Sequence, residues 1–311
     1  MTKPRDHGGG VDAAAIAYGG TRADWIDLST GINPVPYPLP PIRPEAWTAL
    51  PDEAASQALE AAARSFWRVP DSAAILATPG ASAIIARIPA LAPAGVVDIP
   101  APTYNEHAAA FAAQGWQMGS DNVSAKVIVH PNNPTGHWYD AAEVTAPLTI
   151  IDESFADVAA DRSLIHLADQ PGRIVLKSFG KFWGLAGLRL GFAIGPEDLI
   201  AQLSQLTGPW PVSGPAQDIA TAALRDHDWA MATRKRLEGD AARLDALMTD
   251  AGAKVAGGTL LFRLYRVTNA AAWQDRLARQ HIWTRIFPYA DDLIRLGLPA
   301  PGDWARVEAV L

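Results

Sequence analysis

The sequence contains no cysteine, so disulfide bonds and thiolate metal sites are excluded. It also lacks a long apolar run, because four prolines interrupt its most apolar region, residues 74–100. No segment approaches the roughly 20 apolar residues that a membrane-spanning helix needs. The first ten residues, MTKPRDHGGG, lack the apolar core of a secretory signal peptide. These absences predict a cytoplasmic protein that does not enter a membrane.

The chain also has no excess of positive charge. Its 26 lysines and arginines stand against 33 aspartates and glutamates, a net charge of −7, which disfavours a broad surface for nucleic acid or anionic membranes. A small anionic ligand remains compatible with this charge, because local arginines can override the global sign. The seven histidines are scattered, without the HxxxH spacing that pairs zinc ligands. We therefore expect no nucleic-acid partner and no metal.

The length of 311 residues suits one large domain and one smaller domain. Residues 1–51 are rich in glycine and proline and predict an extended arm, without packed helices, that joins the small domain and the active site. We place the large domain at 52–209 and the small C-terminal domain at 210–311. The large domain opens with EAASQALEAAARSFW (53–67), whose apolar residues recur at helical spacing.

Short β-prone runs then alternate with alanine-rich helical stretches. The runs are apolar nearly throughout, which is typical of strands buried on both faces. They are VVDI (96–99), KVIVH (126–130), LTIID (148–152), RIVLKS (173–178) and GFAIG (191–195). This alternation predicts an α/β fold with a mostly parallel sheet. Further helices are predicted at 196–206 and 215–252, and strands of a second α+β layer at 259–267 and 291–297.

Four polar segments follow the predicted strands and turns, where parallel sheets usually bind ligands. They are TPGASA (78–83), APTYNE (101–106), HPNNPTG (130–136) with IIDESF (150–155), and SFGKFWGLAGLR (178–189). In the last segment the bulky apolar residues after Lys181 favour a poorly solvated lysine, whose amine is a usable nucleophile. The alternative is a surface lysine. Asp152 ends an apolar strand, where a carboxylate needs a partner, such as a ligand, a helix N-terminus or a buried ion pair.

In this order, over residues 78–189, the segments resemble the fold-type I pyridoxal-phosphate enzymes of the aspartate aminotransferase superfamily. The resemblance implies a seven-stranded, mostly parallel sheet between helices, a smaller α+β domain, bound pyridoxal 5′-phosphate and a homodimer. It implies that Lys181 binds the cofactor aldehyde covalently, that Asp152 keeps the ring nitrogen protonated, and that Tyr104 stacks on the ring. We interpret these three as the catalytic residues.

The same resemblance implies the remaining cofactor contacts. The predicted cofactor-binding residues are Gly80, Ala81, Ser82, Tyr104, Asn133, Asp152, Ser178, Lys181 and Arg189. Gly80 to Ser82 would offer backbone N–H groups to the cofactor phosphate, with Ser178 and Arg189 beside them, and Asn133 would bond the ring hydroxyl. Taken singly, several of these residues have an ordinary structural explanation. Gly80 to Ser82 would be a turn, Arg189 would form a salt bridge and Tyr104 would pack in the core.

Within the superfamily, GLAGLRLGF (184–192) is similar to both histidinol-phosphate aminotransferases and the threonine-phosphate decarboxylases of cobalamin biosynthesis. DHGGG (6–10) and DLSTGINPVPYP (27–38) resemble the His-Gly-Gly start and the Ile-Asn-Pro segment of the decarboxylases. The resemblance implies decarboxylation of L-threonine O-3-phosphate to (R)-1-aminopropan-2-yl phosphate. The alternatives are an aminotransferase of the histidinol-phosphate type and a non-catalytic binding module with the same fold.

A phosphorylated amino-acid substrate carries two anions, and each needs a cation or N–H donors. The predicted substrate-binding residues are His7, Gly8, Gly9, Asn33, Arg285 and Arg295. The resemblance assigns Arg295 to the α-carboxylate, with Asn33 at the same end, and leaves Arg285 for the phosphate, with plain surface charge as its alternative. The glycine-rich turn that begins at His7 would wrap a phosphate, unless it is a disordered tail.

Three residues depart from the family pattern. Phe155 stands where many aminotransferases have a tyrosine that touches the ring hydroxyl, which leaves Asn133 as the main contact there. Gly180 replaces the hydroxyl residue often found before the lysine, which removes one phosphate contact. Leu50 replaces a tyrosine that in relatives reaches the cofactor phosphate of the neighbouring subunit.

Overall fold

The structure is a computed structural model that describes residues 5–311. Those residues form strands and α-helices in alternation through most of the chain. The strands are β1 Ile26–Asp27, β2 Ala74–Thr78, β3 Val96–Asp98, β4 Gln117–Met118, β5 Val123–Val129, β6 Leu148–Asp152, β7 Arg173–Ser178, β8 Gly191–Gly195, β9 Lys254–Thr259, β10 Phe262–Arg266, β11 Ile282–Trp283, β12 Arg285–Phe287 and β13 Ala290–Gly297. The helices are α1 Val11–Tyr18, α2 Pro44–Thr48, α3 Glu53–Trp67, α4 Ala81–Ile85, α5 Asn105–Ala113, α6 Glu197–Thr207, α7 Gly214–Arg225, α8 His227–Asp250, α9 Ala270–Ala278 and α10 Trp304–Glu308.

One compact unit, Tyr37–Asn133 with His137–Met231, is built on a seven-stranded sheet. Its strand order is β2-β8-β7-β6-β5-β3-β4, and β8 runs antiparallel to both of its neighbours while the other pairs are parallel. The predicted α/β fold with a mostly parallel seven-stranded sheet is confirmed. Strand β6 is buried along its whole length, as expected for a strand covered on both faces.

The core of this unit lies between the central strands and the flanking helices. Ile150 on β6 and Ile174 on β7 are fully buried there, together with Phe111 of α5 and Leu203 of α6. Apolar burial of this kind is the main favourable term in folding. It holds the strands rigidly, so the residues that follow their carboxyl ends have fixed positions.

The second compact unit comprises the described part of Met1–Pro36, Pro134–Gly136 and Ala232–Leu311. It contains an antiparallel sheet of order β12-β13-β10-β9 and the parallel pair β1-β11. The boundaries of these two units differ from those of the predicted domains at 1–51, 52–209 and 210–311. The predicted domain boundaries stay a prediction. Within residues 5–311, no helix combines the length and the apolarity needed to cross a membrane.

The prediction of an arm without packed helices is wrong for part of residues 1–51. Alanines in VDAAAIAY outweigh the flanking glycines and form α1, which buries Val11 and Ala14 against Trp25. Strand β2 was not predicted, because AILAT lies within a longer apolar stretch that gives no period of its own. The helix at 53–67 and the strands at 148–152, 173–178 and 191–195 match the predicted bounds.

Candidate active site

A pocket lies beyond the carboxyl ends of the central strands in the seven-stranded unit. Strands β5, β6 and β7 are parallel neighbours, so the residues that follow them meet at one edge of the sheet. All nine residues predicted to contact a cofactor line this pocket: Gly80, Ala81, Ser82, Tyr104, Asn133, Asp152, Ser178, Lys181 and Arg189. Phe155, the departure from the family tyrosine, lines it too.

Asp152 is the buried carboxylate of the pocket, with 2% of its surface exposed. Its Oδ2 lies 2.8 Å from His107 Nε2, and its Oδ1 accepts hydrogen bonds from Ser154 N at 3.0 Å and Ser154 Oγ at 2.5 Å. Burial by itself raises the pKa of Asp152, but the bonds from His107 and Ser154 outweigh burial and hold the pKa below its ordinary value. A carboxylate kept ionised in this way suits a cationic N–H partner.

Sequence reasoning missed His107. It lies on α5, three residues after Tyr104, and its ring is 1% exposed. The signal was a histidine inside the otherwise alanine-rich stretch NEHAAAFAA, one helical turn beyond an aromatic pocket residue. A buried ion pair was one of the alternatives for Asp152, and the contact with His107 has the geometry of such a pair.

Lys181 lies half-buried on the turn after β7. Its Nζ lies 5.4 Å from the centre of the Phe155 ring. Phe182 and Trp183, the next two residues, are fully buried, and Trp183 stacks between Phe179 and Trp229 with ring centres 5.0 and 5.2 Å away. This packing fixes the turn. Lys181 lines the pocket and is half-buried, which agrees with the poorly solvated position that the apolar residues after it favour.

The end of the pocket at Arg189 carries a guanidinium and two hydroxyl groups. Arg189 itself is exposed, and its Nη1 donates to Ala186 O at 3.0 Å. Gly80 has φ +89°, and a Cβ built there would lie 2.7 Å from Arg189 Nη2. A glycine is therefore required for this guanidinium to approach the backbone. Ser82 and Ser178 add their hydroxyls to the same lining.

Tyr104 forms one wall of the pocket. Its hydroxyl makes a hydrogen bond with Ser82, and its ring meets the His107 ring edge-on with centres 6.1 Å apart. Burial raises the pKa of Tyr104, and the nearby carboxylates of Glu106 and Asp152 raise it further. Tyr104 therefore stays a neutral aromatic surface at physiological pH.

A second set of buried charges that sequence reasoning missed lies beside the pocket. Lys177 on β7 is 2% exposed, and its Nζ lies 2.6 Å from Glu153 Oε2 and 3.6 Å from Asp157 Oδ1. Asp157 also accepts hydrogen bonds from the indole N–H groups of Trp67 and Trp183, at 2.9 and 3.2 Å. The sequence signal for this set is Lys177 itself, a lysine within an apolar strand that stands one residue before Ser178, a predicted phosphate contact.

The six residues predicted to bind substrate all belong to the other compact unit. Arg295 is 5% exposed, and its Nη2 donates to Ser29 O at 2.6 Å. A Cβ built on Gly8 would lie 3.4 Å from the same Nη2, so the glycine-rich turn passes close to this guanidinium. Arg285 pairs with Asp6 at 2.6 Å and also donates to His7 O.

The remaining members of the predicted substrate set have partners within the same unit. Gly9 N donates to Ser29 Oγ at 2.6 Å. Asn33 is buried, and its Oδ1 accepts a hydrogen bond from Arg236 Nη2 at 2.6 Å. Arg236 was not predicted, since it lies on the long helix α8 among other charged residues.

The chain has relatives along its whole length. The model of the family "Aminotransferase class I and II" matches residues 117–311. A curated threonine-phosphate decarboxylase from Sinorhizobium sp is 40% identical, over 100% of this chain and 98% of the relative. Another from Pseudomonas aeruginosa is 40% identical over 98% of this chain and 97% of the relative.

The fold also matches solved structures. The crystal structure of histidinol-phosphate aminotransferase from Sinorhizobium meliloti in complex with pyridoxal-5′-phosphate superposes with a TM-score of 0.80. The match covers 97% of this chain and 93% of that structure, at 18% sequence identity. At this identity the likeness establishes a common fold.

Proposed function

Because this chain belongs to the class I and II aminotransferase family, we propose that it is a pyridoxal-phosphate-dependent decarboxylase of L-threonine O-3-phosphate, as in cobalamin biosynthesis. The observation that carries this choice is the 40% identity to two threonine-phosphate decarboxylases over practically the whole chain. The match covers 100% of this chain and so spans the segments at 6–10 and 27–38, which resemble the decarboxylases. The product is (R)-1-aminopropan-2-yl phosphate.

The chemistry of the pocket fits pyridoxal 5′-phosphate. The lining includes a buried carboxylate at Asp152, an amine at Lys181 and a guanidinium at Arg189, which match the ring nitrogen, the aldehyde and the phosphate. The contact that a Cβ at Gly80 would make with Arg189 supports this fit, since the guanidinium needs the space that glycine leaves. Asn133 would bond the ring hydroxyl, and Tyr104 would cover the ring face.

The chain's own residues provide the catalytic groups. When bound, the cofactor supplies an aldehyde that reacts with amino groups and a cationic ring that accepts the electron pair released as carbon dioxide leaves. Asp152, kept ionised by His107 and Ser154, would hold the proton on the ring nitrogen. The Nζ of Lys181 would bind the aldehyde and would carry the proton that the substrate Cα takes up.

Two arginines supply the charge that a doubly anionic substrate requires. Arg295 would bind the α-carboxylate and Arg285 the substrate phosphate, with the backbone of the glycine-rich turn beside them. An aminotransferase of the histidinol-phosphate type uses the same cofactor groups, so the substrate and the bond broken distinguish the two functions. The full-length likeness to decarboxylases favours loss of the carboxylate.

We also propose a cytoplasmic homodimer. The lack of cysteine is compatible with the cytoplasm. Trp47, Leu50 and Trp210 are large apolar residues exposed by 69%, 66% and 57%, and α2 packs on α7 close to them. Exposed large apolar residues near one another are typical of interfaces. Light scattering tests the dimer, and a mass of 33.1 kDa, one chain, would contradict it.

The decarboxylase proposal is tested by supplying the cofactor-loaded protein with L-threonine O-3-phosphate. We expect carbon dioxide and the aminopropanyl phosphate in equal amounts, without a keto acid. Lys181→Ala should abolish the reaction, whereas Lys254→Ala, which changes an exposed lysine on β9, should leave it unchanged. Turnover of histidinol phosphate that requires a keto acid, with no carbon dioxide from threonine phosphate, would establish the aminotransferase instead.

A further inference from the structure

Two positive charges lie directly opposite each other in the antiparallel sheet. Arg285 on β12 and Arg295 on β13 are cross-strand partners. Like charges in this position destabilise a sheet. Burial, together with the charge of Arg285, lowers the pKa of Arg295 to about 10. The two arginines therefore need a negative charge beside them.

The carboxylate of Asp6 supplies a negative charge at Arg285. Its Oδ1 and Oδ2 accept hydrogen bonds from Nη1 and Nη2 of Arg285, each at 2.6 Å. The Arg285 side chain is 13% exposed, whereas that of Asp6 is 44% exposed. A carboxylate that binds a guanidinium through both oxygens uses the same donors, in the same plane, that a phosphate uses.

The backbone that carries Asp6 is anchored farther along the chain. Gly9 N donates to Ser29 Oγ at 2.6 Å, and Gly9 O accepts from Trp283 Nε1 at 2.9 Å. Gly9 and Gly10 have φ +90° and +86°, a region that favours glycine. Asp6 precedes these anchors and is followed by His7, whose carbonyl also accepts from Arg285. Rotation of the Asp6 side chain alone therefore moves its carboxylate off Arg285 while the backbone stays in place.

We propose that Asp6 occupies the position at Arg285 that a ligand's phosphate takes, and that phosphate displaces it. The identity of the natural ligand rests on the proposed function, but the competition between carboxylate and phosphate does not. A site that is open for only a fraction of the time binds more weakly in proportion to that fraction. Asp6 thus sets the affinity for every ligand whose phosphate binds Arg285.

The test is calorimetric titration of the cofactor-loaded full chain with inorganic phosphate. The bound cofactor fills the other predicted phosphate contact at Arg189. We expect Asp6→Asn to lower the dissociation constant of phosphate about two- to fivefold, the range for loss of a competing ion pair. In an Arg285→Met background, the same Asp6→Asn change should have no effect on phosphate affinity.

Asp12→Asn is the matched control, since Asp12 is an exposed carboxylate on α1 that pairs with Arg22 at 2.7 Å. It should leave phosphate affinity unchanged. Unchanged or weaker phosphate binding in Asp6→Asn would overturn the proposal, the latter by making Asp6 an orienting partner of Arg285. The titration needs no turnover, so its outcome stands apart from whether threonine phosphate is decarboxylated.

Discussion

Asp152 is a carboxylate at the end of an apolar strand, and two neighbours keep it ionised. His107 and Ser154 both bond it, and together they overcome the effect of burial on its pKa. If Asp152 were protonated, it would have no negative charge with which to hold a protonated ring nitrogen. The side chain that governs this balance is His107, because Ser154 also contributes a backbone N–H that substitution leaves in place.

We expect His107→Phe to make cofactor binding more sensitive to acid. In the wild type the pKa of Asp152 lies below its ordinary 3.8, so the ionised carboxylate makes its full contribution to stability above pH 3.8. That contribution is lost as pH falls through the lower pKa of the folded state. Without His107, burial remains and the pKa rises. Loss of cofactor should then begin at a higher pH than in the wild type.

Cofactor absorbance measured against pH tests this expectation, with circular dichroism to report unfolding separately. His107→Gln, which keeps an N–H donor, should restore part of the acid tolerance. If the phenylalanine variant released its cofactor at the same pH as the wild type, the role assigned to His107 would be wrong.

At the scale of single residues, chemistry was predictable where a side chain stood against its surroundings. Lys181 amid apolar residues and Asp152 at a strand end were both identifiable, and both line the pocket. His107 was not identified, because its role depends on which helix face meets the sheet, and that is settled by tertiary packing. Asn33 pairs with Arg236, which is 203 positions away and out of reach of local patterns.

Strand β7 is the element that links the buried charges to the pocket. It carries Lys177, paired with Glu153 and Asp157, and ends at Ser178, which lines the pocket. Burial lowers the pKa of Lys177, but the two carboxylates outweigh burial and raise it above its ordinary value. Asp157 in turn holds the indole of Trp183, close to Lys181.

We expect Lys177→Met to destabilise the protein by about 3–5 kcal/mol, because it leaves two buried carboxylates without their cation. Urea unfolding of the protein measures this change. Lys177→Arg should retain a large share of the stability. The matched control is Lys126→Met on β5, where the pair with Asp98 is 3.3 Å long and partly exposed.

The control should cost less than about 1 kcal/mol. Equal losses in Lys177→Met and Lys126→Met would show that the buried charges add nothing beyond an ordinary surface pair. A loss in Lys177→Arg as large as in Lys177→Met would show that shape, not charge, is what the site requires.

Elements were predictable from sequence where period and end signals agreed. The helix at Glu53–Trp67 has an apolar face and begins after Asp52, whose carboxylate accepts from Ala55 N. Strands β6 and β7 are continuous apolar runs with polar ends. Helix α1 was missed because glycines flank it on both sides, and β2 because its antiparallel pairing with β8 is a long-range choice.

At the scale of the whole molecule, lysines are far fewer than arginines. The chain has only six lysines, and four of them lie outside the segment 173–189. The other two, Lys177 on β7 and Lys181 on the turn after it, are four residues apart. Lys177 is paired with buried carboxylates, whereas Lys181 lines a pocket. Sequence reasoning identified Lys181 and missed the buried pairing of Lys177.

The proposed function therefore depends on which lysine binds the cofactor. Borohydride reduction of the protein with pyridoxal 5′-phosphate, followed by peptide mass spectrometry, locates the covalent label among the six lysines. Fragment ions that divide the chain between residues 177 and 181 distinguish the two candidates. We predict a single label on Lys181, and its loss in Lys181→Ala. A label on Lys177, or on no lysine at all, would contradict the proposed enzyme.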